Sequence, residues 1–140
     1  IYLLSQGFKK IKQKGISDKK KNYLVKSSEK ESVYHMILIY EIVEYLKKFT
    51  SNIQTYRTTQ PDIVFEVHEK KYAIEVETGK VYEKNIKGLN EKVRLLKQNF
   101  DDNWFFVLTN RNVIRHYNKL GKTFYKENIR GKLHELVKGA

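Results

Sequence analysis

Between Pro61 and Lys80 the chain reads PDIVFEVHEKKYAIEVETGK, two β-prone runs around a polar turn. Asp62-Ile63-Val64-Phe65-Glu66-Val67 predicts one strand, His68-Glu69-Lys70-Lys71 a turn, and Tyr72 to Thr78 a second strand that Gly79 ends. Successive strand side chains point to opposite faces. Ala73, Glu75 and Glu77 therefore share one face, and Tyr72, Ile74 and Val76 the other. Two carboxylates on one strand face repel each other, and Glu is a poor strand former. Something must compensate. A hard divalent cation is one candidate, because Mg²⁺ and Mn²⁺ take carboxylate oxygens and water. Asp62, at the start of the partner strand, lies within reach of the pair across the hairpin. A solvated sheet face balanced by neighbouring lysines is the other candidate.

Around this hairpin the chain alternates helical and extended patterns. Ser28-x-x-Glu31 is a capping box. It opens a helix to about Phe49, with a stripe of Val33, Met36, Ile37, Tyr40, Val43 and Leu46, widened by Ile39 and Ile42. Glu41 and Glu44 are expected to face solvent. Glu31 and His35 are four apart on one helix face. His35 would meet a phosphate or a metal-bound water if that face meets the site, and is otherwise structural. Ile53 to Thr59 reads as the first strand. Glu83 to Phe100 reads as a helix burying Ile86, Leu89, Val93, Leu96 and Phe100. Lys92, next to Val93, lies at the edge of that buried face, able to reach the second hairpin strand.

Trp104 to Leu108 is apolar throughout, which suits a strand buried on both faces. The helix before it makes a crossover, so parallel pairing with the second hairpin strand is expected. A short helix over Val113–Leu120, a strand at Thr123–Tyr125 and a helix over Asn128–Val137 complete the reading. The expectation is an α/β fold with a central mixed sheet of four to five strands flanked by helices, in the order α-β-β-β-α-β.

The Pro61-Asp62 and Glu75-Val76-Glu77 spacing, in its strand-turn-strand context, resembles the PD-(D/E)XK, or restriction-endonuclease-like, nuclease superfamily. The Glu-x-acid-x-Gly ending, with Leu89, Lys92 and Leu95 on the next helix, looks most like the replication-relaxation family of plasmid and integrated-element proteins. The resemblance spans about Ser28 to Ile129. It implies a metal-dependent DNA nuclease (phosphodiester hydrolysis) of a mobile element. Asp62, Glu75, the Val76 carbonyl and Glu77 would hold Mg²⁺ or Mn²⁺, and Asp62, Glu75, Glu77 and a lysine would be catalytic. The chain departs from the pattern at Glu77, where the family has Lys. Lys92 is the first substitute and Lys80 the second. A nuclease-fold module that binds DNA without cleaving it is the alternative, and a replication-accessory or protein-interaction domain is a third.

The charge of the chain agrees with a DNA partner. It has 28 basic and 16 acidic residues and a net charge of +12, which suits a polyanion. A lysine-rich composition without a ligand would look the same. A glycosidase also uses paired carboxylates, but a basic chain suits a neutral sugar poorly. Residues 1–26 read as an N-terminal arm or the end of a winged-helix domain, with a short helix carrying Phe8 and Ile11 inward, and 27–140 as the nuclease-like domain. Tyr23-Leu24-Val25 reads as extended. Lys19, Lys20 and Lys21, with His35, Arg57 and Lys80, are the candidate nucleic-acid contacts. The initial Ile suggests a piece of a longer chain. No cysteine is present, which fits a reducing, cytoplasmic compartment. No apolar run reaches the roughly 20 residues of a membrane span. Family nucleases often act as homodimers, so the same is expected here.

Overall fold

The computed structural model describes residues 8–17, 19–26, 33–56, 61–79 and 84–138. The first elements are strands β1 (Phe8–Lys14) and β2 (Lys20–Lys26), an antiparallel pair forming a two-stranded sheet of its own. The short helix expected over Phe8 and Ile11 is therefore a strand. The lysine-rich run has no continuous apolar helical stripe, and cross-strand pairing decides its conformation. Tyr23-Leu24-Val25 is extended, as expected, within β2.

Helix α1 (Val33–Leu46) follows. The Ser28–Glu31 capping box lies outside the described residues. α1 buries Ile37, Leu38, Glu41, Ile42 and Leu46, while Tyr40 is 55% exposed. The expected stripe is thus rotated. The helix is apolar on most sides, so its spacing alone does not select the core face. Glu41, expected to face solvent, is only 7% exposed.

The main sheet has five strands in the order β3 (Ile53–Thr55), β4 (Ile63–Val67), β5 (Lys70–Glu77), β6 (Trp104–Leu108) and β7 (Thr123–Tyr125). It is mixed. β3, β4 and β5 are antiparallel neighbours, whereas β5–β6 and β6–β7 are parallel. Helix α2 (Ile86–Phe100) makes the crossover between β5 and β6. The short α3 (Ile114–Asn118) precedes β7, and α4 (Ile129–Lys138) closes the chain. Asn85 caps α2, its side chain accepting from the Gly88 amide at 2.9 Å.

The β4–β5 turn is tighter than the sequence predicts, with His68 and Glu69 both at positive φ (52° and 64°). A two-residue turn of this kind matches the twist of a hairpin. His68 Nε2 also meets the Val137 carbonyl at 2.8 Å, satisfying an end of α4.

Two apolar layers sandwich the sheet. On one face Ile63, Phe65, Ile74, Val76, Phe105 and Val107 pack with Leu38, Ile42 and Leu46 of α1 and Ile129 and Leu133 of α4. On the other, Ala73, Trp104, Phe106 and Leu108 pack with Leu89, Val93 and Leu96 of α2 and Tyr117 of α3. Each fully buried Ile, Leu or Phe contributes about 1.5–3 kcal/mol. Every residue of β6 is buried, as its apolar run predicts. Among the described residues no helix is long and apolar enough to cross a membrane.

Candidate functional site

The alternation of β5 sends Ile74 and Val76 into one layer and Ala73, Glu75 and Glu77 to the other. Glu75 and Glu77 are 2% and 4% exposed. They are walled in by the α2 layer and do not sit on a solvated face. Asp62 stands one register step beyond the Ile63–Ile74 pair, which brings it opposite Glu75. The site thus forms where β4 begins and β5 ends, at the carboxyl end of the parallel strands, where open α/β sheets hold their ligands.

Two hydrogen bonds tie Asp62 to β5. Its backbone amide donates to Glu75 Oε1 at 3.1 Å, and its Oδ2 accepts from the Val76 amide at 2.8 Å. His35 arrives from α1. Its Nε2 is 3.2 Å from Asp62 Oδ2 and 3.1 Å from the Val76 carbonyl oxygen. Lys92 arrives from α2, with Nζ 3.2 Å from Glu75 Oε2 and 3.2 Å from Glu77 Oε1. On the far side of Glu77, the Tyr117 hydroxyl lies 3.4 Å from Oε2. One network therefore runs His35–Asp62–Glu75–Lys92–Glu77–Tyr117. Gly79, at φ 98°, turns the chain away just beyond it, with Val113 3.0 Å from where a Cβ would stand.

The proton affinities follow from this arrangement. Burial pushes Glu75 well above the ordinary glutamate range, the Asp62 charge adds to this, and Lys92 opposes it. Burial also raises Glu77, against the pull of Lys92. Burial would raise Asp62 too, but the His35 hydrogen bond and charge, with bonds from Glu75 and the Val76 amide, outweigh it and hold the carboxyl low. Of the facing pair, Glu75 is the acid that keeps a proton longer. Burial works against the Lys92 ammonium, yet the charges of Glu75 and Glu77 override it and raise its pKa. The asymmetry is physical. The ammonium sees two carboxylates, whereas each glutamate sees one ammonium, a neighbouring acid and an apolar wall.

Three carboxylates and a carbonyl are the donor types that a hard divalent cation takes. Burial and mutual repulsion leave Glu75 and Glu77 short of positive charge even beside Lys92. In type and charge the residues fit such an ion. Among the described residues, however, no group of three or more His, Cys, Asp or Glu side chains stands in metal-holding geometry. The side-chain nitrogens in contact with these oxygens are Lys92 Nζ and His35 Nε2.

The sequence-predicted residues divide into three sets. Asp62, Glu75, Val76, Glu77, Lys92 and His35 come together. Lys20 and Lys21 lie on the N-terminal hairpin and Lys19 in the bend before it, outside this network. Arg57 and Lys80 lie outside the described residues. Sequence reasoning missed Tyr117. Its signal is weak: an aromatic on a short helix, far along the chain from the residue it meets. The chain matches no family model, no curated protein and no solved structure.

Proposed function

We propose that the chain is a metal-dependent nuclease that hydrolyses phosphodiester bonds in DNA, in the manner of the PD-(D/E)XK proteins it resembles. One observation carries this reading. Lys92 on α2 reaches the two buried acids of Glu75-Val76-Glu77, while Asp62 faces Glu75 across the hairpin. An ammonium is thereby supplied to the site although the strand has Glu77 where the superfamily has lysine. The α-β-β-β-α-β run from α1 to β6 supports the same reading.

Asp62, Glu75, the Val76 carbonyl and Glu77 are the residues that would hold Mg²⁺ or Mn²⁺. When bound, the cation supplies Lewis-acid polarisation of the phosphate and makes a water more acidic. His35 holds Asp62 ionised and oriented. Glu77, fixed between Lys92 and Tyr117, orients the attacking water and takes its proton. Lys92 stabilises the negative charge that builds on the phosphate oxygens. Oxygen of the deprotonated water bonds to phosphorus, one P–O ester bond breaks, and the leaving oxygen takes a proton from solvent water, which the proton held by Glu77 then replaces. With this reading go a DNA partner, a dimeric assembly, a cytoplasmic setting and a role for a plasmid or other mobile element.

A second reading has its own observation. Lys92 and His35 are already bonded to the acidic cluster, and no described group of three or more His, Cys, Asp or Glu side chains has metal-holding geometry. A module that binds DNA without cutting it would look like this. Cleavage of linear, nicked and branched DNAs with Mg²⁺ or Mn²⁺ separates the two. Cutting that Asp62→Ala and Glu75→Ala both abolish supports the nuclease. Salt-sensitive binding with no cutting under either metal replaces it with the binding module.

A further inference from the structure

The N-terminal hairpin carries Lys10, Lys12, Lys14 and Lys20 on one face, and Lys21 lies on the other. Residues directly opposite each other in an antiparallel pair share a face. The register pairs Lys10 with Leu24, Lys12 with Asn22 and Lys14 with Lys20 on one face, and Ile11 with Tyr23 and Gln13 with Lys21 on the other. The second face turns inward. Ile11, Gln13 and Tyr23 are half-buried, and Tyr23 meets Tyr40 of α1 edge-on at 6.4 Å. The first face is open, with Lys10, Lys12, Lys14, Lys20 and Asn22 all exposed. Among the described residues none of these four lysines makes an ion pair.

This arrangement costs the hairpin stability. Lys14 and Lys20 are directly opposed like charges, which is unfavourable in a strand pair. An anionic partner would relieve it. The hairpin is also held in place. Glu41 of α1 accepts from the Ile16 amide at 3.1 Å and from the Tyr23 hydroxyl, and Gly15 lies so close that a Cβ there would collide with the Glu41 carboxylate. α1 therefore carries His35 to the acidic network and Glu41 to the hairpin.

We propose that the face formed by Lys10, Lys12, Lys14 and Lys20 is a docking ribbon for the phosphate backbone of a nucleic-acid duplex. Lysines two apart on a strand are about 6.8 Å apart, twice the strand rise of about 3.4 Å. Phosphates advance about 3.4 Å per nucleotide along each DNA strand, so the ribbon matches alternate nucleotides. A two-stranded ribbon fits the major groove. A face of lysines makes phosphate contacts, which position a duplex without reading its sequence. The turn-proximal part, Lys12, Lys14, Lys20 and Asn22, has no apolar side chain to insert into a bilayer, so a lipid surface fits it less well. The inference shares only its partner with the proposed nuclease and needs no cleavage or metal.

The test is binding of a random-sequence DNA duplex by fluorescence anisotropy in EDTA, across a series of salt concentrations. The protein with Lys10, Lys12, Lys14 and Lys20 all changed to Gln should bind at least about tenfold more weakly. Its log K against log salt slope should be shallower by about 2–4, at about 0.9 for each phosphate that is no longer neutralised. A control with Lys97, Lys119, Lys122 and Lys138, all exposed, changed to Gln loses the same net charge and should lose much less affinity. Arg at the four ribbon positions should restore binding, which guards against a folding defect. Binding is read in EDTA, where no cation-dependent cleavage takes place, so loss of the nuclease reading leaves this result standing. Equal losses in the ribbon and control variants would overturn the proposal, as would an unaffected ribbon variant. So would tighter lysine-dependent binding to phosphatidylserine vesicles than to the duplex.

Discussion

Lys92 Nζ lies 3.2 Å from Glu75 Oε2, so a helix lysine is the direct counter-charge of an acid that is 2% exposed. The same ammonium bonds Glu77. Removing it leaves two buried acids facing each other. Breaking a fully buried pair costs about 3–5 kcal/mol, but Lys92 is 36% exposed and solvent screens part of that. Lys92→Ala should therefore lose about 1–3 kcal/mol at neutral pH in urea unfolding. Adding Glu75→Gln to it should recover part of the loss, and a strictly additive double variant would contradict the pairing.

Stability should also depend on pH through the same acids. Glu75 and Glu77 have higher pKa values folded than unfolded. Their contribution is fully present below the ordinary glutamate value of 4.5 and is lost as pH rises through the folded values. Asp62, held low, has the opposite sign. Its contribution is present above its ordinary value and is lost as pH falls through the lower folded value. Glu75→Gln removes one raised group. Thermal melts of this variant should show a smaller loss of Tm from mildly acid to mildly alkaline pH, and a gain on the order of 1 kcal/mol at the alkaline end. A steeper decline than in the wild type would refute the assignment.

Glu41→Ala should release the hairpin. It leaves the Ile16 amide and the Tyr23 hydroxyl without their acceptor, at a cost of about 1–3 kcal/mol. Hydrogen exchange should speed up across β1 and β2, while β5 and β6 keep their protection. Gly15→Ala should reproduce this pattern by displacing the same carboxylate. Uniform loss of protection throughout the sheet would argue against a local tether.

Gly79→Ala should damage the site from its edge. A side chain at φ 98° is strained, and its Cβ would press on Val113 at 3.0 Å. The expected cost is about 1–3 kcal/mol, with any cleavage activity reduced more than by a surface Gly131→Ala, whose Cβ meets nothing within 4 Å.

What the sequence made readable was local. Strand alternation alone separates Glu75 and Glu77 from Ile74 and Val76, and the hairpin puts Asp62 within reach of the acids, whereas the facing of Asp62 and Glu75 depends on a two-residue turn where the sequence predicts four. The position of Lys92 beside Val93 puts it at the edge of a buried stripe, within reach of β5. The unreadable parts depend on partners far along the chain. Glu41 is buried because Ile16 and Tyr23 come to it from the hairpin. Tyr117 reaches Glu77 only once β6 and α3 are in place. The first strand hid within a lysine run whose inward residues, Ile11 and Tyr23, become a face only when the two strands pair.

Cleavage can fail for want of the right DNA, but cation binding at the acids needs no substrate. The most direct measurement is a calorimetric titration of the protein with Mn²⁺, wild type beside Asp62→Ala and Glu75→Ala. The account predicts saturable binding by the wild type, lost in both variants. It also predicts protons released on binding, because Glu75 holds its proton more tightly than an ordinary glutamate. No binding by the wild type, or equal binding by all three proteins, would contradict a metal site at Asp62 and Glu75.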